Sequence, residues 1–451
     1  MFNKLALKNL SDARSKKQLF NIVISALAKG GAIACSFLFV PMCLNYLDVR
    51  SYGIWLTMTS IVSWISFLDG GLGNGLKNKL SEAVVNDDEN QSRALITSAY
   101  VGIFLIVGIA IVLFLASFKF IDFSKVFNAP EHMSGELSTV FLVVFIFFCV
   151  KLLLDLINTI LLAFQKVWLV NVIALLINAC LLGGVYYITR HVMSERLYYL
   201  SFYFSVLPVA VLTICTLFFF STKYKRLTPE FKFFKMSALK QILSIGAKFF
   251  VIQIAVIIIF STDNLLISQL FEPSEVAIYN IAFKYFSVFT FAWSIVIAPY
   301  WVSFNEAFIK GDFEWIKKTI NFLLKCWMIL FAGVVVFLLL SNYSYNLWLG
   351  PKVKVPVLLS IMMALFVLIS TFANIYVYFI NGIGKIKLQF YTSIIAGLVN
   401  LPLSYFFAVV VHFGVSGIMM GTCLSLISGP VFGYLQYKAI INKTAKGIWL
   451  Q

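Results

Sequence analysis

Residues 96–118 read ITSAYVGIFLIVGIAIVLFLASF, 23 positions without a charge. The hydrocarbon core of a bilayer is about 30 Å thick, and a helix rising about 1.5 Å per residue needs about 20 apolar residues to cross it. No water reaches the backbone there, so the amides must be satisfied within the segment itself, which dictates a helix. Working outward, eleven more stretches have the same character, some with a polar interruption: residues 20–44, 53–69, 137–158, 168–189, 198–221, 242–271, 278–304, 319–341, 356–380, 388–411 and 416–441.

The whole-chain composition agrees. Of 451 residues, 61% are hydrophobic and only 12% charged, against about 45–50% and about 25% in ordinary soluble domains. Mean hydropathy is +0.94. Half the usual charge cannot cover a soluble surface of this size, so soluble enzymes, disordered chains and disulfide scaffolds are excluded. The seven cysteines all lie in apolar stretches, with no CxxC and no Cys/His cluster, so they read as small core residues and no metal is expected. The polar, basic N-terminal residues run into an apolar stretch too long for a signal h-region, so no cleaved signal is expected. His132, His191 and His412 fall in or near outer loops and carry no evident chemistry.

The net charge of +16 comes from 35 Lys and Arg against 19 Asp and Glu. In a soluble chain that excess would suggest nucleic acid; in a membrane protein it first reports topology, because Lys and Arg collect in cytoplasmic loops. Twelve spans put both termini on one side. With that side inside, and Lys438 at the end of the last stretch counted with its inner flank, the inner segments hold 23 bases and the outer loops seven. Five lysines remain within spans (Lys29, Lys151, Lys248, Lys284 and Lys325), against the three acids Asp69, Asp155 and Asp263.

The halves resemble each other. Lys29 in ALAKG matches Lys248 in IGAKF. Asp48 and Tyr52 match Glu275 and Tyr279. The run SEAVVNDDENQSR (81–93) matches NEAFIKGDFEWIK (305–317), and Gln165-Lys166 matches Gly384-Lys385. The shared order and near-constant offset indicate a duplication. The expected fold is therefore an all-α polytopic membrane protein of about twelve transmembrane helices. Residues 1–221 and 242–451 form two six-helix halves related by a parallel pseudo-twofold, and 222–241 form a basic cytoplasmic linker. Such repeats are a common architecture of transporters.

Residues 46–85, YLDVRSYGIWLTMTSIVSWISFLDGGLGNGLKNKLSEAVV, resemble the polysaccharide-unit flippases of bacterial surface-glycan synthesis, within the multidrug/oligosaccharidyl-lipid/polysaccharide exporter superfamily. The similarity is carried by Tyr52-Gly53-Ile54-Trp55 and by the run from Asp69 through Gly71, Gly73 and Gly75 to Asn78. Where family members commonly have Gly, Leu and Arg, this chain has Asp48, Gly70 and Lys77. The resemblance implies an extruder-like fold and movement of an undecaprenyl-pyrophosphate-linked oligosaccharide from the inner to the outer leaflet of the bacterial inner membrane. Membrane lipids, the glycan polymerase and the chain-length regulator are the partners it implies, with no cofactor.

An ionisable group inside a span is costly and normally faces protein or a water-filled cavity. Lys29, Lys248, Lys284 and Lys325 are candidates to bind the pyrophosphate, for which an ammonium is a compact donor; snorkelling to headgroups is the alternative. Lys151 and Asp155 lie four apart, on one helical face. With Asp263 they are candidates for a charge relay or ion coupling, the alternatives being a self-neutralising pair and a hydrogen-bonded kink. Asp69 with Gly71, Gly73 and Gly75 reads as a hinge or tight break. It is not a dinucleotide site, since no strand precedes it. The five span prolines, Pro41, Pro208, Pro299, Pro402 and Pro430, can kink their helices. Gly417/Gly421 and Gly429/Gly433 are GxxxG pairs expected to permit close helix packing.

Three functions compete on these residues. A lipid-linked oligosaccharide flippase would bind its diphosphate through lysines. An ion-coupled drug or metabolite antiporter of the same superfamily would want an acidic cavity if its cargo were cationic, and the span lysines argue against that. A glycan polymerase or ligase would need a sizeable outer loop, which the chain lacks, so no enzyme is expected. GIGK (382–385) lacks the spacing of a P-loop, so nucleotide hydrolysis is not expected to supply the energy.

Overall fold

A computed structural model describes residues 13–65, 69–244, 246, 250 and 262–450. Among these the secondary structure is helical, and ten helices are long and apolar enough to cross a membrane. The chain is a multi-pass membrane protein. The expectation of twelve spans meets two local differences. The stretch 53–69 overlaps the 16-residue helix Val49–Trp64, which is short for a crossing, and residues 66–68 and most of 242–271 lie outside the described residues.

The chain divides into two compact units: Met1–Asp48 with Ile61–Gln253, and Val49–Ser60 with Ile254–Gln451. The first contains α1 (Ala13–Tyr46), followed after the helix α2 (Val49–Trp64) by α3 (Leu72–Val85) and α4 (Glu89–Ser117). It continues with α5 (Ser134–Leu154), α6 (Leu156–Ala163), α7 (Val167–His191) and α8 (Arg196–Ser221). In this unit α1 packs along α7, α8 along α5 and α7, and α3 against α4 and α6. Phe114, Phe123, Phe127, Phe141 and Phe145 form a connected aromatic core, with Phe114 and Phe145 stacked at 4.0 Å.

The second unit contains α9 (Asp263–Leu270), α10 (Pro273–Ile297), α11 (Tyr300–Ile309), α12 (Phe313–Leu349) and α13 (Val357–Gly382). It ends with α14 (Lys387–Tyr405), α15 (Gly414–Leu426) and α16 (Ser428–Ile441). Helix α13 is its hub, touching α10, α11, α12, α15 and α16. Trp293, Phe304, Ile316, Leu323 and Phe379 are buried there in one core cluster. On the outside, Ile329 and Leu339 of α12 are 75% and 78% exposed, the dress of a lipid-facing helix.

Polar residues and prolines interrupt several expected spans. The helix over 137–158 breaks at Asp155, whose carboxylate accepts the Asn158 amide at 2.7 Å. The helix over 278–304 breaks between α10 and α11 at Pro299, which cannot donate to the ladder. Beyond Pro402 the helix over 388–411 loosens into a π turn, Phe406–Val410. Conversely, α12 runs 37 residues, about 55 Å at 1.5 Å per residue, so it extends well past the hydrocarbon.

The matched stretches of sequence adopt matched turns. Asn86, Asp87 and Asp88 donate to the carbonyls of Glu82, Val84 and Ala83, while Lys310, Gly311 and Asp312 donate to those of Glu306, Phe308 and Ala307. Asp87 and Gly311 both have positive φ, 53° and 71°. Asp88 and Asp312 then cap the next helix, accepting from the amides of Gln91 and Trp315. A second pair of turns places Gln165 and Gly384 at φ 56° and 72°, again with equivalent hydrogen bonds.

Candidate functional site

Within the first unit, the motif at 69–75 is a capped turn against which another segment packs. Gly70 and Gly71 take φ of 60° and 76°, a region that side chains resist. The Asp69 carboxylate accepts the amides of Gly71 at 2.8 Å and Gly73 at 3.1 Å, covering donors that open α3. Glycine is needed here for closeness as well as for torsion. A Cβ on Gly71 would lie 2.2 Å from the Gly246 carbonyl oxygen, and one on Gly75 would lie 2.1 Å from that of Ile242. The motif thus seats the backbone of Ile242 and of Gly246 directly on α3 and its opening turn.

Of the lysines singled out in the sequence, Lys29 is half-buried on α1 and Lys284 half-buried on α10, while Lys325 is exposed on α12. Lys248 lies outside the described residues. Lys151 and Asp155 do not pair. The Lys151 ammonium lies 5.2 Å from the centre of the Phe148 ring, and Asp155 takes Asn158 as its partner. The break at Asp155 and the nearby amide provide each group with a neighbour of its own.

Asp263 is the most deeply placed of the three acids. It opens α9, is 4% exposed, and accepts a hydrogen bond from the Tyr279 hydroxyl of α10. Its other oxygen, Oδ1, is buried with no hydrogen-bond partner among the described residues. Beside it, Asn264 donates to the Ser60 hydroxyl at 2.7 Å, and Asn280 donates to Asn264 at 2.7 Å and to the Val276 carbonyl at 2.8 Å. These residues all belong to the second unit. Among the described residues, one carboxylate oxygen thus faces a protein donor and the other faces none. Tyr279 and Asn280 could have been suspected from the sequence. Tyr279 is the repeat partner of Tyr52, and both are polar positions in an apolar helix, yet nothing in the spacing ties them to Asp263 sixteen residues earlier.

Gly53, in the Tyr-Gly pair of the same recognisable stretch, makes another close approach. A Cβ there would lie 1.6 Å from the Pro273 carbonyl oxygen, which explains why Val49–Ser60 groups with the second unit. Gly417 and Gly421 similarly admit the backbone at Phe407–Ala408 and Ser404, as their spacing suggests.

No family model matches the chain. A protein of Yersinia pseudotuberculosis named "Putative O-antigen export protein" is 24% identical over 420 residues, spanning 90% of this chain and 93% of its own length. A Salmonella typhi protein named "Putative O-antigen transporter" is 23% identical over 410 residues, spanning 89% and 91%. One solved structure is described as the inward-facing conformation of a multidrug resistance MATE family transporter of the MOP superfamily. It aligns with a TM-score of 0.79 at 14% identity, covering 94% of this chain and 100% of that one. A MOP superfamily transporter from Pyrococcus furiosus aligns with a TM-score of 0.64 at 13% identity, covering 95% and 96%. The chain has the fold of this exporter superfamily, and its similarity to O-antigen export proteins extends from residues 46–85 to about nine-tenths of its length.

Proposed function

We propose that the chain is a flippase that carries an undecaprenyl-pyrophosphate-linked oligosaccharide unit across the bacterial inner membrane for O-antigen, capsule or exopolysaccharide synthesis. The observation that carries this reading is the near full-length similarity to two proteins named for O-antigen export. The charge of the spans supports it: five lysines face three acids, a surplus that suits an anionic diphosphate and disfavours a cationic drug.

In this reading the glycan and pyrophosphate move by alternating access while the polyprenyl tail stays in lipid. Lys29, Lys248, Lys284 and Lys325 bind the pyrophosphate. Asp263 is the coupling group, because its Oδ1 is buried with no hydrogen-bond partner among the described residues, and binding a cation or proton there changes the local charge outright. Lys151 and Asp155 serve as a secondary relay. Both termini are cytoplasmic, and the glycan polymerase and chain-length regulator act on the delivered unit. The competing antiporter reading draws on the fold similarity to a multidrug transporter.

Complementation separates the two. Expressed in a flippase-deficient strain with a matching glycan pathway, the chain should restore surface glycan. The Lys29→Ala/Lys248→Ala double variant should reach the membrane in normal amount and restore none. Restoration by the double variant would remove the lysine pair from the mechanism. Failure of the parent chain across several glycan types, combined with raised drug resistance, would favour the antiporter.

A further inference from the structure

Helix α8 ends at Ser221. The next twenty residues carry Lys223, Lys225, Arg226, Lys232, Lys235 and Lys240 against the single acid Glu230, and all six bases are exposed. The nearby carboxylates are few: Lys232 meets Glu230 at 2.5 Å, and Arg226 meets Glu89 of α4 at 3.8 Å.

The segment is held in place. Ser98 of α4 clasps Lys235 from both sides, donating its hydroxyl to the carbonyl and accepting the amide, each at 3.1 Å. The Arg93 guanidinium lies 4.7 Å over the Phe233 ring and donates to the Arg226 carbonyl. Gln91 donates to Gln241 at 3.3 Å. Tyr224, Leu227, Ala238 and Leu239 are buried beneath.

With its inner side so anchored, the segment leaves two apolar side chains bare among the bases. Phe231 is 79% exposed and Met236 is 55% exposed, and the Phe231 ring stacks on Phe234 at 5.9 Å. The orientation rule accounts for bases after a span. It does not account for a phenylalanine and a methionine held out beside them. Bases interleaved with exposed apolar groups, fixed at the end of a membrane helix, match an anionic bilayer surface: lysines and arginines meet phosphates while the ring and thioether enter the headgroup boundary.

We infer that residues 222–241 form a docking surface for anionic phospholipid headgroups, with Phe231 and Met236 as its inserted anchors. This rests only on the chain being a membrane protein and not on the identity of its cargo.

Hydrogen exchange on the purified full chain tests it. In nanodiscs containing phosphatidylglycerol, the amides of residues 230–237 should exchange several-fold more slowly than in discs of phosphatidylcholine alone. High salt should reduce the difference, because it screens the charge attraction. The variant combining Lys225→Gln, Arg226→Gln and Lys232→Gln should erase the difference, and Phe231→Ser should reduce it. Unchanged exchange in α4 serves as the check that each variant is folded. Equal exchange in the two lipids, with α4 protected in both, would overturn the inference. So would slowing of the same amides in phosphatidylcholine discs on adding inorganic pyrophosphate, which would assign the bases to the cargo's diphosphate.

Discussion

Asp263 carries a carboxylate into a place where, among the described residues, only one of its oxygens is met, by the Tyr279 hydroxyl. Two substitutions separate its structural from its coupling role. Asp263→Asn keeps an acceptor for Tyr279 but removes the titratable charge. It should leave the amount of protein and its melting temperature nearly unchanged while glycan display falls to a small fraction, and full display in that variant would end the coupling role. Tyr279→Phe keeps the charge but strips it of its donor, and should cost about 1–3 kcal/mol of stability, read as a lower melting midpoint in detergent. The glycines of the 69–75 motif make a purely steric case. Gly75→Ala drives a methyl toward the Ile242 carbonyl and should destabilise by about 1–3 kcal/mol. Gly108→Ala, which meets nothing within 4 Å, should be neutral or slightly stabilising; equal melting of the two variants would contradict the close approach.

At the scale of elements, two stretches matched in sequence also agree in their turns. The sequence match of 81–93 with 305–317 is modest, yet both segments make the same set of turn hydrogen bonds and end in an aspartate that caps the following helix. Asp88→Ala and Asp312→Ala should each cost about 1 kcal/mol, the usual worth of such a cap. Because the two caps lie far apart in sequence and in different units, their costs should add, and a double variant melting well below the sum would mean that the turns are coupled. Element boundaries were less legible. Hydropathy sums over a window do not register a single hydrogen bond, so the break at Asp155 reads as continuous helix until its contact with Asn158 is seen. Lys151 and Asp155, which the sequence offers either as a relay or as a self-neutralising pair, take separate neighbours, the Phe148 ring and Asn158.

For the whole molecule, the 23 inner and seven outer bases specify an orientation. An alkaline phosphatase fused after Ser194, in a predicted outer loop, should be active, whereas one fused after Glu230 should be inactive; the reverse pattern would invert the topology and with it the placement of the basic segment at 222–241. After orientation is accounted for, the net charge of +16 leaves five lysines against three acids within the spans, and that small remainder bears on the cargo.

Membrane residence and helical architecture were determined by the sequence alone, because each is a local sum of apolarity along the chain that holds whatever the packing. Residues 46–85 also carried the family resemblance, down to the glycines. What those glycines touch was decided only by tertiary structure: Gly71 admits Gly246, Gly75 admits Ile242, and Gly53 admits Pro273. Tertiary structure likewise chose Tyr279 for Asp263, and Asn280 and Ser60 for Asn264. The physical reason is common to all of them. A buried polar group or a missing Cβ is answered by whichever atom the fold brings within about 3–4 Å, and that atom can lie anywhere along the chain.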